Sequence, residues 1–330
     1  MKFFLKFAKK VVRHYKRKFA LQKWLQENRN NEIFIVVGGF GDTVWFMTFW
    51  EQYKKKENLR SYKILTEPKY ADMFHLYGEN NLILDKVDFL WTLLPKTAYS
   101  RKKKYSNIHP MIFPHYYNKK EIEVIENYRS EIGIMMDDYF RFGCFDLSYE
   151  DDSPVKLPVL AETDVKIETK KNILLIPYTK SRINVPVQYW EEIAEALKKE
   201  GYTVYTNIGL PKEKPIAGTV PLSVKITELP AVLRKYDFIS LCGRCGLADW
   251  LFVNECKQIV VHSCLENPKN RNEWLNTNVE RKDSFKIMKR KLCLNENNAE
   301  DLYFYIDNAS CDYALQAFEA VKKIETLNKN

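Results

Sequence analysis

Ile33-Phe34-Ile35-Val36-Val37 is a run of β-branched and aromatic residues, too short for a helix and apolar on both faces, the pattern of a parallel strand buried between two layers. Gly38, Gly39 and Gly41 follow at once, then Asp42, then an apolar stretch from Thr43 to Tyr53 closed by Lys54, Lys55 and Lys56. Basic residues suit the carboxyl end of a helix, so the order reads strand, glycine turn, helix. Residues 62–66 predict a second strand, Pro68 to Tyr77 a helix with proline in its first turn, and Leu82 to Leu84 a third strand. This first half is βαβαβ-like. From Trp91 to Tyr117 the periodicity fails: Arg101 to Lys104 form a basic run, and His109, Pro110, Pro114 and His115 read as a loop.

Asp151, Asp152, Ser153, Pro154 and Pro158 mark a polar, proline-containing linker, after which the same grammar restarts. Residues 173–176 predict a strand, and Gln188 to Glu200 an amphipathic helix through Tyr189, Trp190, Ile193, Ala196 and Leu197, stopped by Gly201. Tyr202 to Thr206 is the next strand, Thr227 caps a helix reaching Lys235, and Phe238 to Leu241 is a strand. Gly246 to Asn254 reads as a helix, Gln258 to Val261 as a strand, and Asp312 to Lys323 as a terminal helix. The fold class is therefore α/β in two halves, with boundaries at 27–152 and 153–330 after an amino-terminal segment 1–26. A chain of 330 residues is long enough for two domains of roughly 100–200 residues each.

The segment 1–26 changes the picture. It carries nine Lys or Arg residues, from Lys2 to Lys23, interleaved with Phe3, Phe4, Phe7, Val11, Val12, Tyr15, Phe19, Trp24 and Leu25. Helical spacing gathers many of the apolar residues on one side, as in a helix lying in the headgroup region of an anionic membrane, where each basic residue contributes about 1 kcal/mol. A solvated basic helix packed on the following domain and a nucleic-acid-binding arm are the alternatives. The charges leave no uninterrupted apolar core for a secretion signal, and no apolar run is long enough to span a bilayer. The net charge of +9 favours anionic partners, and 45% apolar with 14% aromatic residues excludes a mainly disordered chain. Seven irregularly spaced cysteines argue against a disulfide framework and for a reducing compartment, so the expected location is cytoplasmic, peripheral on the inner face of the membrane.

Three patches end a strand and open a helix, where open α/β sheets bind ligands. In Gly38-Gly39-Phe40-Gly41-Asp42 the glycines admit close approach of a ligand, but the spacing is not that of a dinucleotide fingerprint. Asp42 there is a candidate general base for a hydroxyl nucleophile, or a helix cap. Thr179, Lys180, Ser181 and Arg182 offer cations and hydroxyl donors where a diphosphate could rest and where leaving-group charge would develop. Gly243, Arg244 and Gly246 form the best phosphate-binding candidate, with Asp249 either a helix-stabilising acid or a ribose or sugar ligand. Cys242 and Cys245 make a C-x-x-C without the second pair a zinc site requires, and read as two thiols around a turn.

The patches Gly39-Phe40-Gly41-Asp42, Pro177 through the Trp190 helix, and Arg244-Cys245-Gly246-Leu247-Ala248-Asp249 resemble the heptosyltransferase-type enzymes of glycosyltransferase family 9. The resemblance covers the chain after its amino-terminal segment. It implies two Rossmann-like domains facing each other across a cleft (GT-B), and inverting transfer of a sugar from a nucleotide-sugar donor with no cofactor or metal. The acceptor it implies is a cell-envelope glycan: lipopolysaccharide, capsule or a lipid-linked oligosaccharide. It makes Asp42 the catalytic base and Lys180 a donor-phosphate contact; Gly39, Gly41, His109 and His115, in the first half, are the acceptor-side candidates. Where the family has an acid and a His in the late patch, this chain has Arg244 and Asp249. That departure points away from ADP-heptose, and an arginine beside the diphosphate is similar to fucosyltransferase-like GT-B enzymes. A GT-B sugar-nucleotide epimerase and a non-catalytic nucleotide- or nucleic-acid-binding protein are the competing readings.

Overall fold

The computed structural model describes residues 26–36, 39–85, 107–110, 139–145, 147, 155–167, 171–179, 183–265, 269, 285–307 and 312–328, together with 12, 15, 16, 19, 20 and 22–24. The polar linker at 151–154 and nearly all of 91–117 lie outside these.

The first half builds a four-stranded parallel sheet in the order β3-β2-β1-β4, from β1 (Glu32–Val36), β2 (Tyr62–Thr66), β3 (Leu82–Leu84) and β4 (Ile108–Pro110). The second half builds a six-stranded parallel sheet in the order β10-β9-β8-β5-β6-β7. Its strands are β5 (Asn172–Ile176), β6 (Thr203–Asn207), β7 (Val220–Leu222), β8 (Ile239–Gly243), β9 (Lys257–Cys264) and β10 (Ala299–Tyr305). Counted within its own half, each sheet follows the doubly wound order 3-2-1-4, which the second extends to 5 and 6. The strand order reverses beside β1 in one sheet and between β5 and β8 in the other, so the carboxyl ends of these strands border the two crevices.

The strands form where the apolar runs predicted them, because a parallel strand covered on both faces must be apolar throughout: all five residues of β5 are buried. Helix α1 (Phe40–Lys56) follows β1, α2 (Ala71–Leu76) follows β2 after a 3-10 turn at Pro68–Tyr70, and α3 (Val187–Lys199) follows β5. In α3, Trp190, Ile193, Ala194 and Leu197 bury one face, and Gly201, at φ +83, lets the chain leave the helix. The second half continues with α4 (Leu229–Lys235), α5 (Gly246–Val253), α6 (Phe285–Lys291) and α7 (Tyr313–Leu327). Asp312 caps α7, its side chain accepting from the Leu315 amide at 2.9 Å.

Four features differ from the sequence reading. Helix α1 begins at Phe40, so Gly41 and Asp42 belong to its first turn rather than to a loop. Thr227 does not cap α4; the cap position is Glu228, with no side-chain bond. Strands β7 and β10 were not predicted. The first is a short edge carrying Pro221, which an edge tolerates, and the second hides behind Glu300 and Asp301. His109, read as loop, is the middle residue of β4, paired in register with Phe34.

The two halves share apolar packing. Residues 43–50 of α1 are all buried, because the helix packs on its own sheet through Phe34 and Trp50, with ring centroids 4.8 Å apart, and on α5 through Trp45 and Phe252 at 5.4 Å. Phe40 meets Trp250 edge-on at 5.9 Å. Described linker residues bind both halves: the Val159 amide donates to Leu76 O at 2.8 Å, and Val165 O accepts from the Tyr236 hydroxyl at 2.8 Å.

The first turns of α1 and α5 touch backbone to backbone. A Cβ on Gly246 would lie 2.5 Å from the Gly41 nitrogen, and one on Gly41 would collide with the Asp249 carboxylate. Helix–helix contact requires glycine at both positions. Gly246→Ala is therefore expected to cost about 1–3 kcal/mol by overpacking, measured by urea denaturation. A variant as stable as the parent would mean that the two helix starts do not touch.

Candidate active site at the meeting of two helix starts

Gly39 at the end of the first strand is extended (φ −70, ψ 169), and its amide donates to the Asp42 carboxylate at 2.6 Å. Asp42, third residue of the helix, thus reaches back to the amide before the helix, as in half of a capping box. The Thr43 hydroxyl donates to Gly39 O at 3.2 Å and fixes the same turn. The helix start therefore holds the carboxylate in one place, half-buried, facing the second domain.

Across the junction, the Arg244 backbone amide donates to Val261 O at 2.9 Å, holding the turn after β8 against β9. Its guanidinium donates from Nη1 to Asp249 Oδ2 at 3.1 Å and to Cys245 O at 3.2 Å, and lies over the Phe285 ring at 5.0 Å. Both charged side chains are nearly inaccessible, Arg244 7% and Asp249 2% exposed as residues. Two carboxylates and one guanidinium are thus gathered where two helix N-termini converge. Burial pushes the Asp42 carboxyl up to about 6; the Gly39 amide opposes this, the Asp249 charge adds to it, and the Arg244 charge opposes it. A carboxylate of that strength can take a proton from a hydroxyl near neutral pH.

At the second sheet's switch point, the Thr179 amide and hydroxyl both donate to Asn184 Oδ1, at 2.8 and 3.0 Å, closing the loop after β5 on itself. Gly243 is buried against that loop: a Cβ there would lie 2.9 Å from Thr179 Cγ2. A recess of about 250 Å³ adjoins the loop, lined by Pro177, Tyr178, Val185, Pro186, Trp190 and Ile216 among others. The hydroxyl of Tyr178, one of its lining residues, donates to Lys214 O at 2.6 Å.

The structure thus brings Asp42, Gly39, Gly41, Arg244, Gly246 and Asp249 together, with Thr179 and Gly243 in contact at the switch point. Lys180, Arg182 and His115 lie outside the described residues. His109 does not reach this edge: its ring stacks on Phe34 at 4.7 Å and its Nε2 lies 2.6 Å from Glu32 Oε2, at the opposite end of β1. Parallel pairing sets this, since β4 runs alongside the early residues of β1 and ends beside Ile35. Asp249 is buried and paired with Arg244, with Gly41 packed close against its carboxylate.

Sequence reasoning missed Asn184 and the group at the carboxyl end of β2. There Lys69 Nζ lies 2.7 Å from Glu67 Oε2 and 4.7 Å from the Tyr70 ring centroid, and Tyr70 is 6.2 Å from Phe40. Burial raises the Tyr70 hydroxyl, and the Asp42 charge adds to that, which puts Tyr70 within electrostatic reach of Asp42. The signal available was position alone: Glu67-Pro68-Lys69-Tyr70 directly follows the second strand, as Asp42 follows the first. Among the described residues, no group of three or more His, Cys, Asp or Glu side chains is arranged to hold a metal ion.

Two parallel sheets in Rossmann order, meeting through helices at their carboxyl edges, constitute the GT-B fold. Known structures share it. A family 9 glycosyl transferase from Veillonella parvula superposes with a TM-score of 0.54 at 10% identity, over 89% of this chain and 96% of that one. The ADP-heptose lipopolysaccharide heptosyltransferase II of E. coli superposes with a TM-score of 0.56 at 10% identity, over 91% of this chain and all of that one (100%). No protein-family model matches the sequence, and no curated protein sequence matches it.

The raised Asp42 pKa has a cost with a definite sign. The folded state binds the proton more tightly than the unfolded chain, so stability is greatest below the ordinary carboxyl value of 3.8 and is lost as pH rises through about 6. Asp42→Asn is accordingly expected to gain about 1–3 kcal/mol above pH 6 and nothing below the ordinary carboxyl range. Urea titrations of both proteins across that window test this, and a pH-independent difference would contradict it.

Proposed function

We propose that this protein is an inverting glycosyltransferase that moves a sugar from a nucleotide-sugar donor to a cell-envelope glycan acceptor. The observation that carries the reading is the placement of Asp42. A carboxylate titrating near 6 stands at the first domain's crevice, against the Arg244–Asp249 pair of the second, in a GT-B fold. In this mechanism Asp42 takes the proton from the acceptor hydroxyl as that oxygen attacks the anomeric carbon from the face opposite the nucleotide. The nucleoside diphosphate leaves, and its growing charge is met by Lys180, Arg182 and the Thr179 hydroxyl. Arg244, held by Asp249, adds positive potential beside the reacting atoms, and the convergent helix starts do the same. Because these groups are given the charge-stabilising part, the reading includes no metal ion. The recess beside Thr179 suits the flat, largely apolar base of the nucleotide. Tyr70, within electrostatic reach of Asp42, and its neighbours Glu67 and Lys69 are assigned to the acceptor.

The acceptor is proposed to be lipid-linked or phosphate-bearing, and the enzyme to work at the inner membrane face. Described residues of the amino-terminal segment are helical, with Val12, Tyr15 and Phe19 more than half exposed at a spacing that aligns them on one side. Among the described residues, no helix is long and apolar enough to cross a membrane.

Nucleoside diphosphates and their sugar conjugates are the first test. One conjugate should raise the melting temperature selectively, since a ligand of the native state stabilises it by mass action. With that donor, Asp42→Asn should keep binding and lose transfer by about 100-fold or more, the scale of general-base catalysis. Retained turnover would remove Asp42 from the base role. Deleting residues 1–26 should release the protein from vesicles containing phosphatidylglycerol without lowering its melting temperature; persistent sedimentation with vesicles would remove the anchor.

A further inference from the structure

Cys242 is the fourth residue of β8 and Cys245 the cap position of α5, so the two thiols bracket the turn that carries Gly243 and Arg244. Their Sγ atoms are 4.0 Å apart. Cys242 is buried and Cys245 is partly exposed. Both are free thiols, and a disulfide needs an Sγ–Sγ distance of about 2.05 Å, within reach of side-chain rotation and a small adjustment of the turn. We infer that Cys242 and Cys245 form a reversible dithiol–disulfide site, with Cys245 the attacking sulfur and hydroperoxides the oxidant class, and that bridging reshapes the Arg244 turn.

The two sulfurs are unequal in the way such chemistry requires. Hydrogen bonding from Cys242 lowers the Cys245 thiol below its ordinary value; burial opposes this, and the Ala248 and Leu247 amides at the helix start assist it. Burial, together with the bond to Cys245, holds Cys242 as a thiol. Cys245 thiolate attacks one peroxide oxygen, the O–O bond breaks, and the departing hydroxide takes a proton from solvent. Cys245 is then a sulfenic acid. Cys242 sulfur attacks Cys245 Sγ; the S–S bond forms, the S–O bond breaks, and the hydroxyl leaves as water with the Cys242 proton. The two sulfurs lose two electrons in all, and one hydrogen peroxide becomes two waters.

Arg244 lies inside the four-residue ring so closed. Its Nη1 bonds to Cys245 O and to Asp249 Oδ2, at 3.2 and 3.1 Å, depend on the position of residue 245. Drawing Cys245 Sγ toward Cys242 displaces that carbonyl and so the guanidinium. The effect on nucleotide binding rests on the reading of Arg244 above; formation of the bridge does not.

The experiment treats the full-length reduced protein with hydrogen peroxide, blocks remaining thiols, and maps cysteines by peptide mass. Expected is a linked Cys242–Cys245 peptide, reversed by dithiothreitol and absent in Cys242→Ser, which instead accumulates Cys245 sulfenic acid trapped by dimedone. Cys242 and Cys245 recovered as free thiols, as sulfinic acids, or bridged to other cysteines would overturn the assignment. ADP and GDP affinities are measured on the same samples by calorimetry. A loss of about tenfold on bridging, restored by reduction, supports the link to Arg244, and an unchanged affinity overturns that part. Failure of the reduced protein to bind any nucleoside diphosphate, UDP and CDP included, would count against the proposed function while leaving the mapped bridge as it is.

Discussion

The close contact between the starts of two helices, at Gly41 and Gly246, governs the arrangement of everything around it. Each helix follows a strand whose carboxyl end borders a crevice, and each presents its positive end to the other. Because no side chain stands between them, the carboxylates at the two first turns, Asp42 and Asp249, come within electrostatic range of one another. Like charges so placed would repel, and the buried Arg244 offsets them. The raised pKa of Asp42 is thus a consequence of burial and of the charges the second domain brings beside it.

Apolar packing behind this contact holds it in place. Trp45, Phe46, Phe49 and Trp50 give α1 buried surface all round, joining its own sheet on one side and α5 on the other. Large apolar interfaces between domains resist relative motion, whereas small polar ones permit it. The shared aromatic cluster fixes the two helix starts relative to each other. The same region contains Cys242 and Cys245, so any covalent change there acts on the junction and not on a distant surface.

The residue pattern of the late patch is also rationalised by the packing. An arginine with an acid five residues later forms a buried ion pair in which each group compensates the other, and removal of one partner alone would leave an unpaired buried charge. The pair is therefore structural as well as electrostatic.

Apolar runs alone located the two α/β halves and the strands β1, β2, β3, β5, β6, β8 and β9, and the chain offered Asp42 as a candidate base or cap. These follow from local chemistry: apolar runs bounded by glycine, proline and charge leave a chain few alternatives. The sequence did not reveal β7 or β10, whose edge position tolerates proline and acids, nor that Ile108–Pro110 pairs beside β1 and sets His109 against Phe34 and Glu32. The pressing of Gly41 on Gly246, the pairing of Asp249 with Arg244 and the electrostatic reach of Asp42 to Tyr70 appear only in the folded chain. Those facts depend on which surfaces two separately legible halves press together, and contacts between residues some two hundred positions apart leave no periodic trace in the chain.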